Sequence, residues 1–288
     1  MIKNKRLKKR ILIVLVITVI ICVGVSDFLY SNPQIKFVVG DYVSAYKATV
    51  EFKEIFPEIN SAILQDLLND EKTSFDQSLM LINTENKLKG DFSADTVYYG
   101  NSDVQMNSCV AEAYRLISEE ISEKFGEKLY ISDAYRTSDE QNALEDSNKY
   151  ATEEGASEHQ AGLALDVYVK YYSGKAFLKS EAGRYVNENC WQQGFIIRYP
   201  YYGKKDTGIG YEPWHIRYVG LPHSEIIYKN RWTLEEYTEY LEDGKFYGYG
   251  DYIVTRQKGD TPKVPISYES LVISQDNQGG YIYTFKIK

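Results

Sequence analysis

The segment "LALDVYV" (residues 163–169) constrains the fold most, because it alternates as a half-buried β-strand does. Its leucines and valines share one face, which must cover a core, so Asp166 points to the opposite face of the sheet. His159 lies just before this strand, in a chain of 288 residues with three histidines. Imidazole and carboxylate groups are common zinc ligands, so this strand carries a candidate metal site.

A second histidine follows a glutamate in "EPWHIRYVG" (residues 212–220). Pro213 disfavours α geometry at Glu212, and we therefore predict that this segment is extended. His215 and Arg217 then share one face, with apolar side chains opposite. If this strand lies beside residues 163–169, both segments present their polar groups to one point.

The three residues His159, Asp166 and His215 match a catalytic zinc site, in which three protein ligands leave a fourth position to water. Zinc lowers the pKa of such a water to about 7 and polarises a carbonyl. Glu212 is close to a ligand in sequence and is placed to act as the general base. Each of these residues alone is more often structural, so the prediction depends on their joint pattern.

The joint pattern also resembles a family. "SEHQAGLALD" fits S-x-H-x-x-G-x-A-x-D and "EPWHIRYVG" fits E-x-W-H. With "AYRTSDEQ" and "GFIIRYP" they resemble the zinc D,D-carboxypeptidases of the VanY type, over about residues 79–243. The resemblance implies an α+β fold, in which helices pack on an antiparallel sheet that holds Zn²⁺ through His159, Asp166 and His215. It also implies that Glu212 is the catalytic base.

The same resemblance implies roles for three further residues. Arg136 matches an arginine that binds the terminal carboxylate of the substrate or the developing oxyanion, which suits a planar bidentate donor. Gln141 and Ser157 match positions that line the substrate pocket. One departure is Asp133-Ala134, where relatives have Ser-Gly or Ser-Ala. An acid at this position either weakens the field of the arginine or orients it.

The activity that the resemblance implies is removal of the terminal D-Ala from peptidoglycan stem peptides that end in D-Ala-D-Ala. This activity would contribute to glycopeptide (vancomycin) resistance and to cell-wall remodelling. Two alternatives within the family are an L,D-carboxypeptidase and a peptidoglycan endopeptidase. A third, from a different class, is a non-catalytic peptidoglycan-binding module, which would not need Glu212.

The N-terminus has the pattern of a membrane anchor. Residues 1–10 hold six Lys and Arg, and an apolar run follows from residue 11 to 25 and extends to 30. We expect an uncleaved single-pass anchor over 11–30, with the basic end cytoplasmic and the catalytic domain extracellular. A cleaved signal peptide is the rival. The net charge of −8 argues against a nucleic-acid partner.

The rest of the chain divides by pattern into a spacer with helical stretches (31–78), the catalytic domain (79–243) and a β-rich C-terminal extension (244–288). Apolar spacing predicts a helix from Met106 to Phe125, ended by Gly126. A capping-box match at Thr233 predicts the start of another helix. Cys109 and Cys190 lie on apolar helix faces, which favours buried thiols over a disulfide. The oligomeric state is not predicted.

Overall fold

A computed structural model describes residues 2–44, 49–90, 92–147 and 151–287. The chain forms two compact units, residues 1–47 and 48–288. The first unit contains helices α1 (Ile2–Ser31) and α2 (Pro33–Ser44). Within the described ranges, no helix combines the length and the apolar character needed to cross a membrane. The predicted anchor at residues 11–30 is therefore not confirmed.

The second unit mixes short helices with short strands. Its helices are α3 (Leu64–Leu68), α4 (Ala111–Phe125), α5 (Ser138–Ser147), α6 (Glu181–Asn189), α7 (Lys204–Thr207), α8 (His223–Asn230) and α9 (Leu234–Tyr240). Its strands are β1 (Lys53–Ile55), β2 (Ile59–Ser61), β3 (Thr73–Asp76), β4 (Thr96–Tyr98), β5 (Gln105–Asn107), β6 (Tyr130–Asp133), β7 (Ala164–Tyr168), β8 (Phe195–Ile197), β9 (His215–Tyr218), β10 (Phe246–Tyr249), β11 (Tyr252–Gln257), β12 (Lys263–Pro265), β13 (Ser270–Gln275) and β14 (Tyr281–Lys286).

A four-stranded antiparallel sheet has the order β6-β7-β9-β8. We call it the site-bearing sheet, because β7 carries Asp166 and β9 carries His215. Leu163, Leu165 and Val167 are buried in the core beneath it, as their alternation predicts. Each such side chain contributes about 1.5–3 kcal/mol when fully buried. Ile117 of α4 and Val186 of α6 lie in the same core. The prediction of an α+β fold with helices packed on an antiparallel sheet is confirmed.

A second sheet has six strands in the order β1-β10-β11-β14-β13-β3. Its four inner strands come from the C-terminal segment, which has the β structure that its alternation predicts. Both edge strands come from residues 53–76, within the segment predicted as a spacer. β13 pairs with β3 in parallel, and the other pairs are antiparallel. The pairing therefore joins chain segments on either side of the site-bearing sheet into one structure.

The predicted helix from Met106 begins five residues later, at Ala111. Met106 lies instead in β5, which pairs with β4. The Asn107 amide donates to the carbonyl of Gly162 at 2.9 Å, so a long-range contact replaces the first helical turn. Gly162 itself has φ of +66°, and a Cβ there would lie 2.7 Å from the Asn107 nitrogen. The turn that leads into β7 thus requires glycine.

The capping box at Thr233 begins α9, as its motif predicts. The nearby His223 is buried between three elements, and its sequence position outside both metal motifs favours a structural role. Its Nδ1 lies 2.6 Å from the Tyr237 hydroxyl of α9, and its Nε2 lies 2.9 Å from Oγ1 of Thr284 in β14. Burial lowers the pKa of His223 to about 3. The imidazole is therefore neutral in the folded protein at neutral pH.

This burial predicts a loss of stability in mild acid. Below about pH 6.5 His223 is protonated in the unfolded chain but not in the folded chain. The free energy of unfolding that His223 contributes therefore falls by about 1.4 kcal/mol for each unit by which the pH falls. The loss runs from about pH 6.5 towards pH 3. Urea unfolding at several pH values should show a flatter pH dependence for His223→Gln than for the unmodified protein. Parallel curves for the two proteins would contradict this account.

Candidate metal and catalytic site

The structure brings the three predicted ligands together on the site-bearing sheet. A 3₁₀ turn (Glu158–Ala161) carries His159, and the register of β7 with β9 sets Asp166 opposite His215. Asp166 Oδ1 lies 2.9 Å from Nδ1 of His215 and 3.7 Å from Nε2 of His159. One ligand atom from each residue fits within 4.8 Å of the other two. The three residues therefore form one candidate metal site.

The two histidines present opposite ring nitrogens to this point. Nδ1 of His159 lies 2.7 Å from the carbonyl oxygen of Ala134. A carbonyl only accepts, so Nδ1 carries the proton and Nε2 is left as a ligand. His215 instead turns Nδ1 towards Asp166 and Nε2 towards Glu158, at 3.5 Å from Oε2.

The residues present fit a zinc ion. Oδ1 of Asp166 is buried and has no hydrogen-bond partner in the part of the chain that the structure describes. The separations of 2.9 and 3.7 Å bracket the ligand spacing of about 3.3 Å in a tetrahedral zinc site. Two imidazoles and one carboxylate are also a donor set that zinc accepts.

The electrostatics of the site favour a cation. Burial raises the pKa of Asp166, but contacts with His159 and His215 outweigh it and hold this pKa well below its usual range. For His215, burial lowers the pKa, while the nearby carboxylates of Asp166 and Glu158 raise it to about 9. Both shifts mean that a positive charge is stabilised beside these carboxylates.

Glu212 lies in the same cleft as the ligands, within a turn and not in an extended segment. The His215 amide donates to the Glu212 carbonyl at 3.1 Å, and β9 begins only at His215. The prediction of an extended segment from Glu212 was therefore wrong for its first three residues, because Pro213 here allows a turn. Burial raises the pKa of Glu212, and the charge of His215 offsets this in part. A raised pKa suits a group that both takes and returns a proton.

Arg136 reaches the cleft from the segment after β6. Its backbone amide donates to the carbonyl of His159 at 3.1 Å. Its guanidinium pairs with Asp133, with Nη2 3.0 Å from Oδ2 and Nε donating to Oδ1 at 3.3 Å. Nη1 donates to Oε1 of Gln141. Of the two effects expected from an acid at position 133, this geometry favours orientation of the arginine.

The cleft has a volume of about 560 Å³, and Asp133, Arg136, Ser157 and Glu212 line it with the three metal-site residues. The resemblance implies that Gln141 lines the substrate pocket, but its side chain does not line this cleft. It is fully buried behind Arg136, and its side-chain amide donates to the carbonyl of Thr152. Gln141 therefore holds Arg136 in place, and a direct substrate contact stays a prediction for this residue and for Ser157.

Sequence reasoning missed the group of charges behind the site, formed by Glu158, Arg198 and Arg217. Their side chains are at most 1% exposed. A signal for them was present, because the two arginines stand in short apolar strand segments, "GFIIRYP" and "HIRYV". A buried arginine must be paired, so each of these two arginines indicates an acidic partner nearby.

The two cysteines outside the N-terminal run are not part of this site. Cys109 and Cys190 are both free thiols, as predicted, but only Cys190 is fully buried and Cys109 is partly exposed. Burial raises the pKa of Cys190 to about 12, so the thiol is not ionised at neutral pH.

Comparison with known proteins supports the same assignment. Residues 103–221 match the family model VanY, D-alanyl-D-alanine carboxypeptidase. A D-alanyl-D-alanine carboxypeptidase of Enterococcus faecium is 33% identical over 96% of this chain and 96% of its own.

Several solved structures are similar, including the following two. The vancomycin-resistance D,D-dipeptidase VanXYg, in complex with a D-Ala-D-Ala phosphinate analogue, covers 81% of this chain and 100% of its own, with a TM-score of 0.62 and 24% identity, which supports the fold. A variant of a D,D-pentapeptidase VanY from a VanB-type resistance cassette, in complex with Zn(II), covers 56% of this chain and 98% of its own, with a TM-score of 0.50 and 27% identity. The predicted family is confirmed: this chain is an enzyme of the VanY family of D-alanyl-D-alanine carboxypeptidases.

Proposed function

We propose that this protein is a zinc-dependent D,D-carboxypeptidase that hydrolyses the terminal D-Ala from peptidoglycan stem peptides ending in D-Ala-D-Ala. The observation that carries the proposal is the convergence of His159, Asp166 and His215 in a cleft that also holds Glu212 and Arg136. The family supports the substrate class, and the zinc complex of the related VanY supports the metal.

Each residue of the cleft has a distinct task. His159, Asp166 and His215 would hold the zinc ion, which would supply a Lewis acid for the scissile carbonyl and would lower the pKa of water. The Glu212 carboxylate takes the proton of the attacking water and returns it to the amine of the departing D-Ala. Its raised pKa favours that return, because the protonated form is less costly in a buried setting.

Arg136 accounts for the exopeptidase character. An enzyme that removes one terminal residue must recognise a free carboxylate, and a guanidinium matches its two oxygens. Asp133 and Gln141 hold this guanidinium from behind, which orients it before the substrate arrives. Such preorganisation lowers the cost of binding.

The role that follows is removal of the D-Ala-D-Ala terminus to which vancomycin-type antibiotics bind, and with it a part in glycopeptide resistance and wall remodelling. The basic and apolar N-terminal pattern supports a location at the outer face of the cell membrane, with residues 11–30 as the anchor. Separation of membrane and soluble fractions, with a salt wash, tests this location.

Glu212→Gln should abolish turnover and leave the metal site intact. The amide keeps the shape of the side chain but cannot take a proton, so kcat should fall by about 10² to 10⁴-fold. Zinc content, measured on the purified variant, should stay equal to that of the unmodified protein. Glu119→Gln, on the exposed face of α4, is the matched control and should keep full activity. Unchanged hydrolysis by zinc-loaded Glu212→Gln would rule out the base assignment.

Arg136→Lys should weaken recognition of the substrate carboxylate. Lysine keeps the charge but loses the bidentate geometry, at a cost of about 1.5–3 kcal/mol, or roughly 10 to 150-fold in kcat/KM. We expect the unmodified enzyme to discriminate strongly between a peptide with a free terminal carboxylate and its C-terminal amide. The variant should lose most of that discrimination. Equal discrimination by both enzymes would show that another group reads the carboxylate.

A further inference from the structure

A cluster of four charged side chains lies behind His215, of which Glu158, Arg198 and Arg217 are buried and Glu235 is partly exposed. Oε1 of Glu158 accepts hydrogen bonds from Nε of Arg198 at 2.6 Å and from Nη1 of Arg217 at 2.5 Å. Arg198 in turn makes a bidentate pair with Glu235 of α9, at 2.6 and 2.8 Å. We call these four residues the Glu158 cluster. It connects the turn that carries His159, strand β9 and helix α9.

The Glu158 cluster is balanced without any charge on His215. It holds two carboxylates and two guanidiniums, and burial makes an uncompensated charge costly. Arg198 and Arg217 both contact Oε1 of Glu158 and so neutralise its carboxylate. Nη2 of Arg217 also donates to the carbonyls of Ser78 and Met80, both at 2.9 Å, which fixes its position.

One oxygen of Glu158, Oε2, remains outside these pairs and faces the ring of His215. Oε2 lies 3.5 Å from Nε2 of His215, slightly beyond a normal hydrogen bond. Both atoms are buried, and neither has another hydrogen-bond partner among the residues that the structure describes. Because unpaired buried polar atoms cost free energy, the two atoms are each other's natural partners.

We propose that Glu158 is a positioning residue for the metal site: it accepts a hydrogen bond from Nε2–H of His215 and thereby leaves Nδ1 free to bind the ion. The inference rests on the zinc site of the proposed function. It follows the rule seen at His159, where a carbonyl holds the proton of Nδ1 and leaves Nε2 for the metal. A ring held on its far side by a fixed acceptor has its tautomer and its orientation set together.

The arginines make this acceptor rigid. Glu158 cannot turn away from His215 without breaking two short contacts to guanidiniums, and Arg198 cannot follow it without leaving Glu235. Glu235 also accepts from the side-chain amide of Asn83 at 3.1 Å. The orientation of His215 on β9 therefore depends on Glu235 of α9, a helix outside the metal site.

Zinc affinity of Glu158→Gln in the full-length protein tests the inference. The amide keeps the volume but is a weaker acceptor, so zinc should bind 10 to 100-fold more weakly in competition with a chromophoric chelator. Asp276→Asn is the matched control. Its carboxylate is also buried and pairs at 2.8 Å with Arg256 of β11, but it lies just after β13 of the six-stranded sheet. The control should lose stability and keep the zinc affinity of the unmodified protein. A folded Glu158→Gln protein with unchanged zinc affinity would overturn the inference.

Long-range ¹H–¹⁵N spectra of the unmodified, zinc-loaded protein provide a second test that does not require the variant to fold. With three histidines the spectrum is simple. We expect a proton on Nε2 of His215 and on Nδ1 of His159. A proton on Nδ1 of His215 would overturn the inference. If the unmodified protein binds no zinc, the proposed function fails, whereas zinc binding that Glu158→Gln leaves unchanged contradicts only the role of Glu158.

Discussion

Asp166 lies directly opposite His215 in the antiparallel pairing of β7 with β9, and the site depends on this register. Residues in such positions are about 4.5–5.5 Å apart, so the pairing alone places a carboxylate beside an imidazole. The register is fixed from the other face of the sheet, because a slip by one residue would turn the buried Leu165 and Val167 towards the cleft. Packing energy in the core thus specifies the geometry of the ligands.

The arginines of this protein serve two separate purposes. Arg136 is partly exposed in the cleft, and a guanidinium there can pair with an incoming carboxylate as well as with Asp133. Arg198 and Arg217 are buried, and their charges are matched by Glu158 and Glu235. The buried pairs add little net stability by themselves, since desolvation offsets their attraction. Their value lies in a fixed arrangement around the imidazole of His215.

The sequence predicted those features that depend on local pattern. The alternation of residues 163–169 located the central strand and placed Asp166 on its polar face, and the capping box at Thr233 located the start of α9. Features that depend on distant contacts were missed. Met106 follows helical spacing but lies in a strand, because the adjacent Asn107 amide bonds to Gly162. The edge strands from residues 53–76 have too few residues for a periodic signal, and their partners lie in the C-terminal segment, nearly 200 residues away.

The proposed hydrolysis of a D-Ala-D-Ala terminus requires a metal ion at His159, Asp166 and His215. The most direct measurement is the release of D-Ala from diacetyl-Lys-D-Ala-D-Ala, before and after treatment with a chelator and after addition of Zn²⁺. We predict that the chelator abolishes release, that Zn²⁺ restores it, and that benzylpenicillin has no effect because no serine nucleophile takes part. Release that persists in metal-free protein, or that benzylpenicillin blocks at stoichiometric dose, would contradict the account.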